Sequence, residues 1–213
     1  MVIKLKRGVL IVFEGIDGSG KSTQAKLLFK RLERAGFDAL FSREPTDGEW
    51  GQKLRGLIRN GRDKISPEEE LEWFLRDRQE HVEKVICPGL KKKKIVILDR
   101  YYFSTIAYQG ALGLDLAEIE RRNEEFAPPP DILFLIEISP HLGIRRIKET
   151  RGQGVDFFER ESYLLKVKEI FNSLNKPFLY RLQGDETVQR LEHQTQEILC
   201  RYLHERDLIE ERE

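Results

Sequence analysis

The feature that most constrains this chain is Gly15-Ile16-Asp17-Gly18-Ser19-Gly20-Lys21-Ser22, which matches the spacing GxxxxGK[ST]. It follows a run that is apolar at nearly every residue, Val9–Glu14, and opens an amphipathic stretch, Lys21–Ala35. A loop of this kind between a buried strand and a helix start is a phosphate cradle. Its glycines permit positive φ values and close backbone approach, and the helix aims the positive end of its dipole at the same point. Lys21 then bridges β- and γ-phosphates and Ser22 offers its hydroxyl to Mg²⁺. Neither side chain helps a plain strand-to-helix turn, so the residues Gly15, Ile16, Asp17, Gly18, Ser19, Gly20, Lys21, Ser22 and Thr23 are assigned to a nucleoside triphosphate.

The rest of the chain repeats this unit. Further strands are expected at Asp38–Ser42, Ile95–Leu98, Ile132–Ile138 and Phe178–Leu182. Helical spacing is read around 51–59, 67–86, 115–126, 140–149, 156–174 and 185–206. Strands alternating with helices through short turns imply βαβ crossovers: an α/β fold with a five-stranded parallel sheet between helical layers. At 213 residues, with neither internal repeat nor linker, one domain over residues 1–213 is expected. The charged tail Arg206–Glu213 is expected to fray.

Composition narrows the partners. Lys and Arg total 37 and Asp and Glu total 37, so the net charge of +0 argues against a protein that holds nucleic acid by bulk counterion release. Cys87 and Cys200 stand far apart without a CxxC, which points to buried or neutral thiols and away from zinc or redox chemistry. No run reaches the roughly 18 apolar residues of a membrane helix, and a cytoplasmic location is expected.

A phosphate loop leaves the acceptor open: water, a small molecule, or none in a nucleotide-gated module. No NKxD follows a late strand, which speaks against a GTP switch. The third strand runs into Asp99-Arg100-Tyr101. Strand carboxyl ends line the crevice of a doubly wound sheet, so Asp99 is placed to hold the Mg²⁺ shell with Ser22. Arg100 is placed to grip a second phosphate.

Five segments, in order, are similar to the thymidylate kinase family: FEGIDGSGKSTQ (13–24), REPTDGEWGQKLR (43–55), WFLRDRQEHVEKVICPGL (73–90), DRYYFSTIAYQG (99–110) and PPPDILFLIEISP (128–140). The resemblance implies a P-loop NTPase fold, transfer of the ATP γ-phosphoryl group to dTMP, Mg²⁺ as cofactor and a homodimer. It implies that Asp17 reads the deoxyribose 3′-hydroxyl and that Arg55 and Arg100 hold the acceptor phosphate. Phe74 would stack on thymine and Arg78 would bond its edge, the two being four apart on one helix face. Tyr108 would crowd the sugar 2′ position, and Thr105 and Gln109 complete the acceptor set. Taken alone, Phe74 and Tyr108 are also what core packing uses. A kinase for another nucleotide or nucleoside, or a regulatory P-loop NTPase, is the other reading of the same motifs.

A lid is expected at about 143–158, where Arg145, Arg146, Lys148 and Arg151 precede Gly152-Gln153-Gly154. With Gly18 after the loop's acid, the lid must supply the positive charge. Arg151 is the leading candidate for a catalytic role, with Arg145 or Arg146 next. The chain reads Asp156-Phe157-Phe158-Glu159 where bacterial relatives usually carry an arginine after the aspartate, and either Arg151 or Arg160 compensates or the lid works with fewer charges. The turn Gln183–Val188 resembles the family's adenine-side loop.

Overall fold

The apolar run at the head of the phosphate loop forms strand β1, Val9–Glu14, buried along its whole length. In the computed structural model, which describes residues 3–60, 65–151 and 157–210, β1 is the middle of five strands in the order β2-β3-β1-β4-β5. The others are β2 (Ala39–Arg43), β3 (Ile95–Asp99), β4 (Ile132–Glu137) and β5 (Leu179–Gln183), all paired in parallel. The side chains of 59–60, 150–151 and 157–160 lie outside the described residues.

Strand alternation divides the apolar residues between two cores. Ile11, Phe13, Ile97 and Phe134 face α1 (Lys21–Ala35) and α9 (Val188–Glu205), meeting Ala25, Leu28, Leu191 and Leu199. Leu10, Val12, Leu98 and Leu135 face the other way. There they meet Leu75 of α3 (Pro67–His81), Phe103 and Ile106 of α5 (Tyr102–Gly110), and Val167 and Phe171 of α8 (Phe157–Ser173). The remaining helices are α2 (Glu49–Asn60), α4 (Cys87–Lys91), α6 (Leu116–Glu124) and α7 (Pro140–Arg151). The register sets Phe13 beside Asp99 and Arg43 beside Asp99, so Glu14, Glu44 and Arg100 leave the sheet side by side.

The structure corrects the sequence reading in several places. The first concerns α5, which the periodicity did not show. Tyr102, Phe103, Ser104, Thr105, Ile106, Ala107 and Gln109 are all buried, and a helix covered on every side carries no amphipathic signature. The stretch read as one helix over 67–86 ends at His81, passes through a π-helical turn, Val82–Ile86, and resumes as α4. Strand β2 starts one residue later than expected, because Asp38 gives its carbonyl to Ile95 N–H and its carboxylate to Lys94. Strand β3 runs on to Asp99, and β4 stops at Glu137, whose carbonyl accepts Gly184 N–H. The tail is tied down as far as Glu210: Leu208 is buried, its carbonyl accepts Lys6 N–H, and Glu210 N–H reaches Lys4. Cys87 is partly buried and Cys200 exposed, both unpaired.

Candidate active site

The phosphate loop leaves β1 at Gly15 and enters α1 at Gly20, which caps the helix in the left-handed region at φ 96° with open space where a Cβ would stand. Any L side chain there would be strained and would fill the cradle. Thr23 and Gln24 N–H already donate to Gly20 O, and the Lys21 and Ser22 N–H groups before them have no acceptor within the helix, which leaves them to an anion. Gly18, at φ +81°, is closed from the other side: an added Cβ would lie 2.3 Å from the carbonyl oxygen of Gly143 on α7. Lys21 folds back over the loop, its Nζ 3.3 Å from Ile16 O and 3.8 Å from Asp17 Oδ1.

Asp17 lies between two cations. The Arg100 guanidinium donates through Nη2 to Asp17 Oδ1 and through Nη1 to Ser104 Oγ at 2.8 Å. Tyr108 completes the cluster, its hydroxyl accepting Asp17 N–H at 3.1 Å and lying 3.5 Å from Arg100 Nη2. Arg100 itself is left-handed, at φ 75°. A non-glycine residue in that region costs on the order of 1–3 kcal/mol and persists only where its surroundings enforce it. Burial lowers the Lys21 pKa to about 8, helped by Arg100 and opposed by Asp17, Asp99 and Glu14. For Arg100 burial works against the charge, but Tyr108, Asp17 and Glu14 outweigh it and hold the guanidinium above its ordinary pKa.

A second polar cluster lies under α3. Arg78, 1% exposed, gives Nε (2.9 Å) and Nη2 (2.6 Å) to Glu44 Oε2, Nη2 to Thr105 Oγ1 (3.0 Å) and Nη1 to Asn123 Oδ1 (2.5 Å). Among the described residues these bonds engage four of its five N–H groups, so at most one remains for a base edge. His81 holds the other Glu44 oxygen through Nδ1 at 3.0 Å and meets Ser42 Oγ through Nε2 at 2.8 Å. Burial alone would raise the Glu44 pKa; Arg78 and His81 overcome it and hold the carboxyl low. Phe74 is partly buried and belongs to neither core cluster among the described residues. Gln109 is fully buried, yet neither end of its amide has a hydrogen-bond partner among the described residues. Arg55 is held by the loop after β2, donating to Pro45 O at 2.9 Å and to Thr46 O, and pairing with Asp47 at 3.0 Å. It therefore stands apart from the cavity that Arg100 lines.

That cavity, about 540 Å³, runs from Asp17 and Gly18 over Lys21 and Ser22 to Gly184, Glu186 and Val188. Of the arginines weighed for the lid, Arg146 lines it and donates to Gly184 O at 2.9 Å, tying α7 to the loop after β5. Arg145 is turned outward beside Glu149. Arg151 ends α7, but its side chain, with the stretch 152–156 and the side chains of Phe157, Phe158, Glu159 and Arg160, lies outside the described residues. The hard-oxygen pair suits Mg²⁺. Asp99 is buried, its Oδ1 without a hydrogen-bond partner among the described residues, and Ser22 is exposed in the first turn of α1.

A family model described as thymidylate kinase matches residues 13–198. The chain belongs to the thymidylate kinase family. It is 48% identical over 185 residues to the thymidylate kinase of Desulfotalea psychrophila, covering 87% of this chain and 91% of that one. It is 42% identical over 207 residues to the Xanthomonas euvesicatoria pv. vesicatoria thymidylate kinase, covering 97% and 90%. The crystal structure of thymidylate kinase from Ehrlichia chaffeensis superposes with a TM-score of 0.72 at 29% identity, covering 91% of this chain and 98% of that one. Among the described residues no helix is long and apolar enough to cross a membrane.

Sequence reasoning missed Glu14, Glu44, His81 and Asn123, all buried polar residues of this region. Glu14 left one signal, a carboxylate closing a strand that is otherwise apolar. The others bond partners distant in sequence and left none.

Proposed function

We propose that the chain carries out the reaction of its family, transfer of the γ-phosphoryl group of ATP to the phosphate of dTMP, giving dTDP and ADP, and that the residues above divide the work as follows. The observation that carries the reading is the Asp17 carboxylate shared between Arg100 and Lys21. Phosphoryl transfer needs positive charge where two anionic phosphates meet, and little covalent chemistry from the protein. Lys21 and the N–H groups of Gly18, Gly20, Lys21 and Ser22 bind the triphosphate. Arg100 takes the acceptor phosphate, whose oxygens replace Asp17 as its partner, and Arg55, held on the loop after β2, is the second arginine for that phosphate. Asp17 then accepts from the deoxyribose 3′-hydroxyl.

Phe74 and the remaining Arg78 N–H contact the base, together with Thr105 and the unpartnered amide of Gln109. A buried amide with no partner is costly, and a bound pyrimidine relieves that cost. Tyr108 fills the space of a ribose 2′-hydroxyl. Mg²⁺, held by Ser22 and Asp99, supplies further charge neutralisation on the phosphates when bound. Arg146 and Arg151 contribute the lid's positive charge from the segment 143–158. The whole chain acts as one kinase unit in the cytoplasm, and the homodimer follows from the resemblance; sedimentation reads it against a chain of 25.1 kDa.

Arg100→Ala removes the acceptor clamp. Turnover of dTMP should fall at least about 100-fold, the loss expected when an electrostatic anchor of the transferring groups is deleted. Unchanged steady-state kinetics would remove Arg100 from the site.

A further inference from the structure

Glu14 is fully buried beside the site, and nothing in the transfer described above uses it. Its Oε1 accepts the N–H groups of Tyr101 at 2.8 Å and Ser104 at 2.9 Å. Its Oε2 accepts the Ser104 hydroxyl at 2.5 Å. Tyr101 stands at the N-cap of α5, and its own side chain makes no capping bond. The carboxylate of a neighbouring strand therefore does the work that a Ser or Asp at the cap ordinarily does.

The same three bonds reach Arg100. Having given its proton to Glu14, the Ser104 hydroxyl has a lone pair for Arg100 Nη1, 2.8 Å away. Arg100 N–H donates to Phe13 O at 3.0 Å, one residue before Glu14. The left-handed Arg100 is thus held at its own amide by Phe13, at the next amide by Glu14, and at its guanidinium by Ser104. A carboxylate so buried is costly unless paired and bonded, and here it is fully bonded into the presentation of one arginine.

We propose that Glu14 is a positioning residue for the acceptor phosphate: through the α5 amides and the Ser104 hydroxyl it holds Arg100 in the strained backbone and fixed guanidinium orientation from which it grips that phosphate. The proposal rests on the reading of Arg100 given above. A carboxylate that only capped α5 would affect folding and both substrates alike.

The test is steady-state kinetics on Glu14→Gln, Ser104→Ala, Arg100→Ala and the double variant E14Q/R100A. Gln keeps an oxygen for the two amides but sets N–H groups against the Ser104 hydroxyl, which then loses the acceptor that orients its proton and has to share its lone pairs between Gln and Arg100, so the hold on the guanidinium is loosened. The expected result is a fall of at least about tenfold in kcat/KM for dTMP in both E14Q and S104A, with KM for ATP within about twofold of wild type. On the R100A background, E14Q should add less than about twofold, because residues acting through one group are not additive. The proposal is overturned by full multiplication of the E14Q loss on R100A, by an equal loss for ATP, or by wild-type dTMP kinetics in both single variants. If E14Q does not fold, S104A decides alone, and wild-type dTMP kinetics there overturn the proposal. Wild-type turnover in R100A would instead overturn the reading of Arg100 on which the proposal stands.

Discussion

Lys21 meets the triphosphate with a proton it holds only weakly. Burial, and Arg100 nearby, bring its pKa down to about 8 from an ordinary 10.5. In the unfolded chain the group titrates at the ordinary value, so this residue's contribution to stability rises with pH between about 8 and 10.5. Nucleotide binding runs the other way, since phosphate oxygens favour the ammonium. Affinity for ATP should fall as pH rises through 8, by up to about tenfold per unit, with proton uptake on binding. Titration calorimetry between pH 7 and 9 in buffers of different ionisation heat reads both effects. A pH-independent Kd across that range contradicts the assignment, and Lys21→Met should remove the dependence. Lys21, Asp17 and Arg100 were legible in the sequence because motif and strand end fix them locally. Glu44 and Glu14 were not: Glu44 bonds Arg78 34 residues away, and Glu14 bonds Ser104 90 residues away.

At the scale of elements, α7 and the phosphate loop touch backbone to backbone. An added Cβ on Gly143 would stand 2.5 Å from Asp17 O and 3.2 Å from the Ile138 side chain. Gly143→Ala therefore has to push α7 off the loop, an overpacking that costs about 1–3 kcal/mol. A lower unfolding temperature together with a several-fold higher KM for ATP is expected, and wild-type values of both would contradict the contact. Strands were legible as apolar runs and amphipathic helices as periodic ones. Helix α5 satisfies neither rule: its YFSTIAYQG is rich in aromatic and β-branched residues and almost wholly covered. The segment was legible as a motif and illegible as a helix. The π-turn at Val82–Ile86 was likewise hidden, because one extra residue shifts the helical phase without a change in composition.

Over the whole molecule, strand order brings these parts together. With β1 in the middle, flanked by β3 and β4, the loop after β1, the Asp99-Arg100 step after β3 and the Gly184 turn after β5 open at one end of the sheet. The parallel five-stranded sheet was legible from alternation of strand and helix, and the phosphate-loop motif and the strand end at Arg100 pointed to the cavity that both line. Which partner closes each polar group was not, since that depends on the register between strands.

The central claim is that this architecture selects dTMP as acceptor. A coupled assay of ADP release with ATP and Mg²⁺ tests it most directly, comparing dTMP, dUMP, dCMP, dGMP and no acceptor. The account predicts strong turnover with dTMP and release near the acceptor-free background with dCMP and dGMP. Equal slow release with every nucleotide and with none would leave the phosphate loop standing and contradict the acceptor site.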